Sequence, residues 1–133
     1  MTAMAAATLY VGLFALLMLV LKANVGRVRV KEKVMFGDGG NEALQRAIRV
    51  QGNAVEDVPV VLIGLVALGA MAAPVWVVHA LGAAFLVGRI LHAVGLGGSA
   101  GSSMGRMVGT LLSAIALLLT AGVCVGMAVA QVI

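Results

Sequence analysis

A row of polar residues recurs at intervals of four and three in the first half of the sequence. Its members are Glu42, Arg46, Arg49, Asn53 and Glu56. At about 100° per residue, this spacing predicts that all five lie within a narrow arc of one face of an α-helix. Cations, carboxylates and an amide on one face either bind a small charged molecule or pair with one another as a solvated helix surface. We call these five residues the polar stripe, and the spacing alone leaves both interpretations open.

Three further polar residues stand in or beside apolar segments, where an unpaired charge is costly. Arg89 and His92 are three residues apart and therefore share one helix face. Arg89 either extends to the lipid headgroups, pairs with Glu56 or contacts a ligand. His92 either forms a hydrogen bond between helices or contacts the same ligand. Arg106 either anchors a helix at the membrane interface or binds an anion together with the unpaired N–H groups of the first helical turn.

The composition places these residues in a membrane protein. Of 133 residues, 62% are hydrophobic and only 11% are charged. These values exclude a disordered chain and an ordinary soluble domain, in which about a quarter of the residues are charged. The formal net charge is +4, but the cations flank apolar segments, so membrane orientation explains them and we expect no nucleic-acid partner. One cysteine, Cys124, and two distant histidines indicate neither an internal disulfide nor a metal site.

Four apolar segments predict an all-α integral membrane protein, a four-transmembrane-helix bundle that forms a single domain over residues 1–133. The segments are residues 2–22, 58–73, 75–94 and 107–133. A polar helical extension precedes the second segment, and Asn41 is suited to cap its beginning. We expect residues 27–34, in which valine alternates with charge, to lie along the lipid headgroups or to form a short extended segment. Residues 95–105 are predicted to be a linker of small residues.

The charged residues are confined to one side of the predicted bundle. Every Lys, Arg, Asp and Glu falls within residues 22–57 or 89–106. The positive-inside rule therefore predicts that both charged regions face the cytoplasm, with the termini and the turn at Pro74 on the opposite side. Glu56 and His92 each lie 18 residues from Pro74, which is about 27 Å along a helix, so they are expected at the same depth. His79 is expected to be an isolated residue near the opposite interface.

These positions predict a shared polar site near the cytoplasmic edge of the membrane. Its predicted members are Arg29, Arg49, Arg89, Arg106, Asn53, Glu56 and His92, with Glu42 as a further candidate. This set suits a small zwitterionic or polyanionic molecule with at least two carboxylates and an amine. A single protomer of this size is a thin bundle, so we expect the site to lie between protomers.

Two motifs resemble those of a known family, the membrane-associated proteins in eicosanoid and glutathione metabolism (MAPEG). The segment RAIRVQGNAVE, residues 46–56, resembles the family signature R-x-x-R-x-x-x-N-x-x-E. The segment GRILH, residues 88–92, is similar to the family's G-R-x-x-H on the third helix. The resemblance covers nearly the whole chain and points to a bacterial-type member. It implies a homotrimer whose glutathione sites lie at subunit interfaces, open to the cytoplasm and laterally to membrane lipid.

The resemblance also implies roles for individual residues. Those that would hold glutathione or brace its pocket are Arg29, Asn53, Glu56, Arg89 and His92. Arg106 would match the arginine that stabilises the glutathione thiolate in active members, with Ser102 and Ser103 as weaker candidates for contact with the sulfur. The implied activity is that of a detoxifying glutathione transferase or peroxidase, which conjugates or reduces lipophilic electrophiles.

Two positions depart from the family pattern. Leu96 stands where catalytic eukaryotic members carry a tyrosine about one turn after the histidine, and Gly52 stands where some members have a basic residue. These departures favour an alternative, a noncatalytic lipid- or glutathione-binding scaffold of the same fold, whereas Arg106 favours the enzyme. A small drug/proton antiporter is a third possibility, but it requires a carboxylate in the first helix, and residues 2–21 contain none.

Overall fold

A computed structural model of the chain describes residues 1–98, 101 and 103–133, so the candidate sulfur contact Ser102 lies outside the described residues. The described residues form four α-helices. They are α1 (Ala3–Glu32), α2 (Glu42–Ala70), α3 (Val75–Gly98) and α4 (Met104–Ala130). Each helix is long and apolar enough to cross a membrane. The predicted fold class, an all-α bundle of four transmembrane helices, is confirmed.

The first helix is longer than predicted and continues through most of residues 27–34, so the expectation of a short extended segment there was wrong. Contact of these residues with lipid headgroups stays a prediction. Val25 and Val28 are three residues apart and share a helix face. They pack with Leu44 and Ala47 of α2 in a small second core beyond the main one. Burial of these side chains stabilises a helix here, although the alternating local sequence is typical of an extended segment.

Asn41 begins the second helix as predicted. Its side-chain oxygen accepts a hydrogen bond from the Leu44 N–H at 2.9 Å, which satisfies one unpaired donor of the first turn. Its side-chain nitrogen donates to Glu32 Oε2 at 2.9 Å. One asparagine therefore caps α2 and connects it to the end of α1.

The linker between α3 and α4 is shorter than the predicted residues 95–105. The third helix continues to Gly98, and the fourth begins at Met104, where the Ser103 hydroxyl accepts a hydrogen bond from the Arg106 N–H at 3.2 Å. Leu96, in the last turn of α3, is buried. Packing of this turn against α4 explains why the small-residue segment is partly helical. At its far end, the fourth helix stops at Ala130, short of the predicted residue 133.

The main core lies where α1, α2 and α3 meet. The rings of Phe14 and Phe85 are 5.2 Å apart between centroids, and both side chains are fully buried. The connection between α2 and α3 is a tight turn at the predicted place, in which Ala72 has a left-handed conformation with φ of 54°. Large apolar side chains such as Ile63 and Leu118 are exposed on the outside, as expected for a surface that faces lipid. The end of the bundle opposite the α2–α3 turn carries the charged regions of the sequence, residues 22–57 and 89–106. We call it the charged end.

Candidate functional site

A buried ion pair joins α2 to α3 at the charged end. Arg89 Nη1 lies 3.0 Å from Asp57 Oδ2. The Arg89 side chain is only 4% exposed, whereas that of Asp57 is 39% exposed. The expected alternatives for Arg89, extension to the headgroups or pairing with Glu56, were therefore wrong, because the neighbouring carboxylate of Asp57 is its partner. A guanidinium this deeply buried needs such a partner, since an isolated charge in a membrane protein is strongly disfavoured.

A second polar contact joins the same two helices. Asn53 Nδ2 lies 3.3 Å from His92 Nε2, and His92 is only 4% exposed. Among the described residues, His92 Nδ1 has no hydrogen-bond partner. Asn53 and Glu56 are the residues of the polar stripe nearest to the apolar part of α2, where an unpaired polar group is costly, so partners on other helices are expected for both. Asn53 has such a partner in His92. For Glu56 the expectation was wrong.

Glu56 pairs within its own helix instead. Arg49 Nη1 lies 3.3 Å from Glu56 Oε1, and both side chains are mostly exposed. The first two stripe residues also pair, with Arg46 Nη1 at 3.6 Å from Glu42 Oε2. Exposed pairs of this kind contribute little to stability. The four charged residues of the polar stripe therefore pair with one another along one helix face. Asn53, the uncharged member, bonds to α3 instead.

A cavity of about 330 Å³ opens at the charged end, among α2, α3 and α4. Its polar lining residues are Asn53, Glu56, Asp57, Arg89, His92, Arg106, Thr110 and Ser113. Five of the seven predicted site residues thus border one cavity in a single protomer. The volume and the mixture of charges suit a small zwitterionic molecule. Ligand binding by these residues stays a prediction.

Two predicted site residues lie outside this lining. Arg29 Nη1 donates to the carbonyl oxygen of Gly37 at 2.7 Å and to that of Val34 at 3.4 Å. It therefore holds the connection between α1 and α2 of the same chain. Arg49 reaches only the rim of the cavity, through its ion pair with Glu56.

Three polar lining residues were missed by the sequence analysis. They are Asp57, Thr110 and Ser113. Each could have been found from helical spacing, because Asp57 follows Asn53 by four residues, and Thr110 and Ser113 follow Arg106 by four and seven.

An apolar groove of about 650 Å³ lies beside the polar cavity, on α4. Its lining residues are Ser103, Arg106, Met107, Thr110, Leu111 and Ala114. Met107 and Leu111 are largely exposed on the outer surface, so the groove opens toward lipid. Arg106 borders both the groove and the polar cavity, and it forms no ion pair with the residues that the structure describes. Its guanidinium therefore stands at the boundary between a polar and an apolar site.

Close approach of α3 and α4 sets the distance between the two sides of the cavity. A Cβ atom added at Gly109 of α4 would collide with the backbone N of His92 and lie 2.6 Å from the Gly88 carbonyl oxygen. Small residues at such a crossing allow helix backbones to approach closely in membranes. This contact brings His92 and Arg106, which lies one turn before Gly109, to opposite walls of one narrow cavity.

The other histidine is part of a different contact. Tyr10 Oη lies 3.1 Å from His79 Nδ1 and 3.1 Å from the His79 carbonyl oxygen. Tyr10 is buried against Gly82, where a Cβ atom would collide with its ring. The expectation that His79 stands alone was therefore wrong, because it joins α3 to α1 far from the charged end.

Comparison with known proteins agrees with this architecture. The profile of the MAPEG family matches residues 7–126. Inner membrane protein YecN of Escherichia coli is 40% identical over 87 residues, which cover 65% of this chain and 66%, just under two thirds, of YecN. An uncharacterized protein of Synechocystis sp., sll1147, is 39% identical over 117 residues, which cover 79% of this chain and 85% of that protein. Because the family match includes nearly all of the four helices, among them the three that line the cavity, this multi-pass membrane protein belongs to the MAPEG family.

Proposed function

We propose that this protein is a membrane-bound glutathione transferase or peroxidase that acts on lipophilic electrophiles. The observation that carries the proposal is the position of Arg106, which has no ion-pair partner among the described residues and borders both the polar cavity and the apolar groove. A thiolate beside this guanidinium would meet an apolar molecule that enters from lipid. The glutathione site and the site of the apolar substrate would then share one cation, Arg106.

The polar cavity has the chemistry that glutathione requires. Glutathione carries two carboxylates, an ammonium group and a thiol. Its ammonium group would find a partner in Glu56, and its anionic groups would find one in Arg106. The amide of Asn53 and the hydroxyl of Thr110 add hydrogen-bonding groups to the lining. The sequence resemblance and membership of the MAPEG family support glutathione over other zwitterions of similar size.

Arg106 would act on the ionisation of the bound thiol. A free thiol has a pKa of about 8.5, and a nearby cation favours the charged thiolate, so the nucleophile is more abundant at neutral pH. The thiolate attacks an electrophilic carbon, a C–S bond forms, and the leaving group departs with the bonding electrons. With a hydroperoxide, the thiolate attacks the terminal oxygen, the O–O bond breaks, and the alkoxide takes up a proton and leaves as an alcohol. The thiol of a second glutathione attacks the resulting sulfenic acid, forms the disulfide and releases the oxygen as water.

This chemistry requires no nucleophile from the protein. The lone cysteine, Cys124, lies farther along α4, where its thiol donates to the Gly64 carbonyl oxygen at 3.6 Å. It is absent from the lining of the polar cavity. Its place beside the α2 backbone supports a packing role.

The proposal includes the surroundings of the site. By the positive-inside rule the charged end faces the cytoplasm, where glutathione is available, and the similarity to YecN supports residence in the inner membrane. We propose a homotrimer in which the sites lie at protomer boundaries. Arg29 and Arg49, which do not line the cavity of their own protomer, would then contribute to a site shared with a neighbour.

The deciding experiment compares the parent protein with Arg106→Ala in detergent. The assay is glutathione-dependent turnover of a generic aromatic electrophile, with thiolate absorbance as a measure of ionisation. We expect turnover to fall by roughly 10²-fold or more, as is typical when one group that stabilises developing charge is removed. Thiolate absorbance should fall in parallel.

Arg27→Ala is the matched control, because Arg27 is an exposed arginine at the charged end whose guanidinium bonds only to Asn24, one turn away. It should leave turnover and thiolate absorbance unchanged. Equal turnover in the parent and Arg106→Ala would remove Arg106 from its assigned role.

A noncatalytic glutathione- or lipid-binding scaffold is the second candidate. The burial of Leu96 favours it, because this position offers no hydroxyl to the site where catalytic eukaryotic relatives are expected to carry one. Glutathione binding by the parent in isothermal titration calorimetry, without turnover of any electrophile, would establish the scaffold instead of the enzyme.

A further inference from the structure

Two arginines line the cavity, and of these only Arg89 is paired with a carboxylate of the described residues, so Arg106 is the one available to an anion. Asp57 Oδ2 lies 3.0 Å from Arg89 Nη1, so the charge of Arg89 is compensated within the protein. Glu56, the other carboxylate of the lining, is paired with Arg49. No carboxylate of the described residues pairs with Arg106.

The two arginines also differ in position. Arg89 lies on α3 with His92 and is 4% exposed, deep in the wall between α2 and α3. Arg106 lies on α4 and is the one that borders the apolar groove. An anionic sulfur at Arg106 would be next to a lipophilic substrate, whereas one held by Arg89 would be on the opposite wall.

From these two observations we propose that Asp57 is a positioning residue that directs the sulfur of glutathione to Arg106 by neutralising Arg89. The inference rests on the proposed function and adds to it a residue that the two sequence motifs do not include. Without the Asp57 carboxylate, Arg89 would be a buried cation without an ion-pair partner, acted on only by the more distant carboxylate of Glu56, which is itself paired with Arg49. Such a cation attracts any available anion strongly, because little water screens it. A ligand carboxylate or thiolate would then move toward Arg89 and away from the groove.

The proposal separates binding from turnover. Asp57→Asn keeps the size of the side chain and removes one negative charge from the cavity. Glutathione has a net negative charge, so its KM should fall, by about threefold. The kcat for the aromatic electrophile should fall by about tenfold or more, because a displacement of about 1 Å of a reacting atom has large effects on rate. A residue that only supports the fold would instead raise KM or leave it unchanged while turnover fell.

Compensating variants test whether charge is the cause. Asp57→Glu retains the carboxylate and should keep kcat and KM within about threefold of the parent, since it can still pair with Arg89. The double variant Asp57→Asn/Arg89→Gln removes both charges and should recover most of the kcat that Asp57→Asn loses, as a double-mutant cycle requires for a coupled pair. Asp38→Asn, in the α1–α2 connection and outside the cavity lining, should leave both constants unchanged.

The outcomes distinguish this inference from the proposed function. If the parent shows no glutathione-dependent turnover, whether or not it binds glutathione, the proposed enzyme function fails and the inference fails with it. If the parent is active but Asp57→Asn raises the KM for glutathione or leaves kcat unchanged, only the inference is overturned. A double variant no better than Asp57→Asn would also overturn it, as would an Asp57→Glu variant as impaired as Asp57→Asn.

Discussion

The contact of Gly109 with α3 offers a direct test of whether helix packing positions Arg106, the arginine to which we assign the catalytic role. In Gly109→Ala, the added methyl group would collide with the backbone N of His92 and lie only 2.8 Å from its Cα. Two carbon atoms in ordinary contact are about 3.5–4.0 Å apart. Because the obstructing atoms belong to the backbone, no side-chain rotation can relieve the clash. The two helices must therefore separate locally by about 1 Å.

This separation has consequences for stability and for activity. Overpacking of a tight contact typically costs about 1–3 kcal/mol of unfolding free energy. Arg106 lies one turn before Gly109 and should move away from the His92 side of the cavity together with α4. A displacement of about 1 Å can lower the rate of a positioned reaction by about 10²-fold. We therefore expect Gly109→Ala to lose much of its glutathione-dependent turnover even where the protein remains folded.

The assay is turnover of the aromatic electrophile at a temperature where circular dichroism shows both proteins folded, together with the thermal midpoint in the same detergent. Gly122→Ala is the matched control, because it lies on the same helix and an added Cβ meets no atom within 4 Å. It should keep full turnover and be neutral or slightly stabilising, since alanine favours helix over glycine. Gly109→Ala with the turnover and midpoint of the parent would refute the inference that this contact positions Arg106.

Two further predictions concern contacts outside the polar cavity. Tyr10→Phe removes the hydroxyl that contacts His79. It should lower the unfolding free energy by about 0.6–1.7 kcal/mol, the range for hydrogen bonds between membrane helices. SDS-induced unfolding measures this loss. Asn41→Ala removes the cap of α2 and should cost about 1 kcal/mol. Faster hydrogen exchange of the amides in the first turn of α2, with no change in α4, would locate that effect.

These two predictions have simple controls. Phe36→Leu changes a side chain that is 95% exposed in the α1–α2 connection and should leave unfolding unchanged, unlike Tyr10→Phe. Asn24→Ala removes a half-buried asparagine whose side chain bonds to Arg27 of its own helix, so it should cost less than Asn41→Ala. Equal effects of the two asparagine substitutions would argue against a capping role for Asn41.

Much of the candidate site was predictable because helical periodicity is a local property. The intervals between Asn53 and Glu56 and between Arg89 and His92 placed each pair on one helix face. Equal distances from the turn at Pro74 placed Glu56 and His92 at the same depth. The cap at Asn41 followed from residue type and position alone. These inferences needed no knowledge of how the helices pack.

Other features depend on contacts that no local pattern contains. The choice of Asp57 over Glu56 as the partner of Arg89 is decided by the rotation of α2 against α3, since the two carboxylates are adjacent in sequence and about 100° apart around the helix. The extension of α1 to Glu32 depends on burial of Val25 and Val28 against α2. In both cases the alternatives have similar local energies, so packing between helices determines the outcome.

The amino-acid sequence alone was sufficient to establish a membrane protein with four apolar helices, a charged end and polar residues at one depth. These properties follow from composition, length and helical spacing. Only the tertiary structure shows that the polar residues border one cavity, that Arg106 also borders an apolar groove, and that Asp57 compensates Arg89. The physical reason is that helix rotation and approach are set by close packing, such as that of Gly109 on His92, between residues distant in the chain.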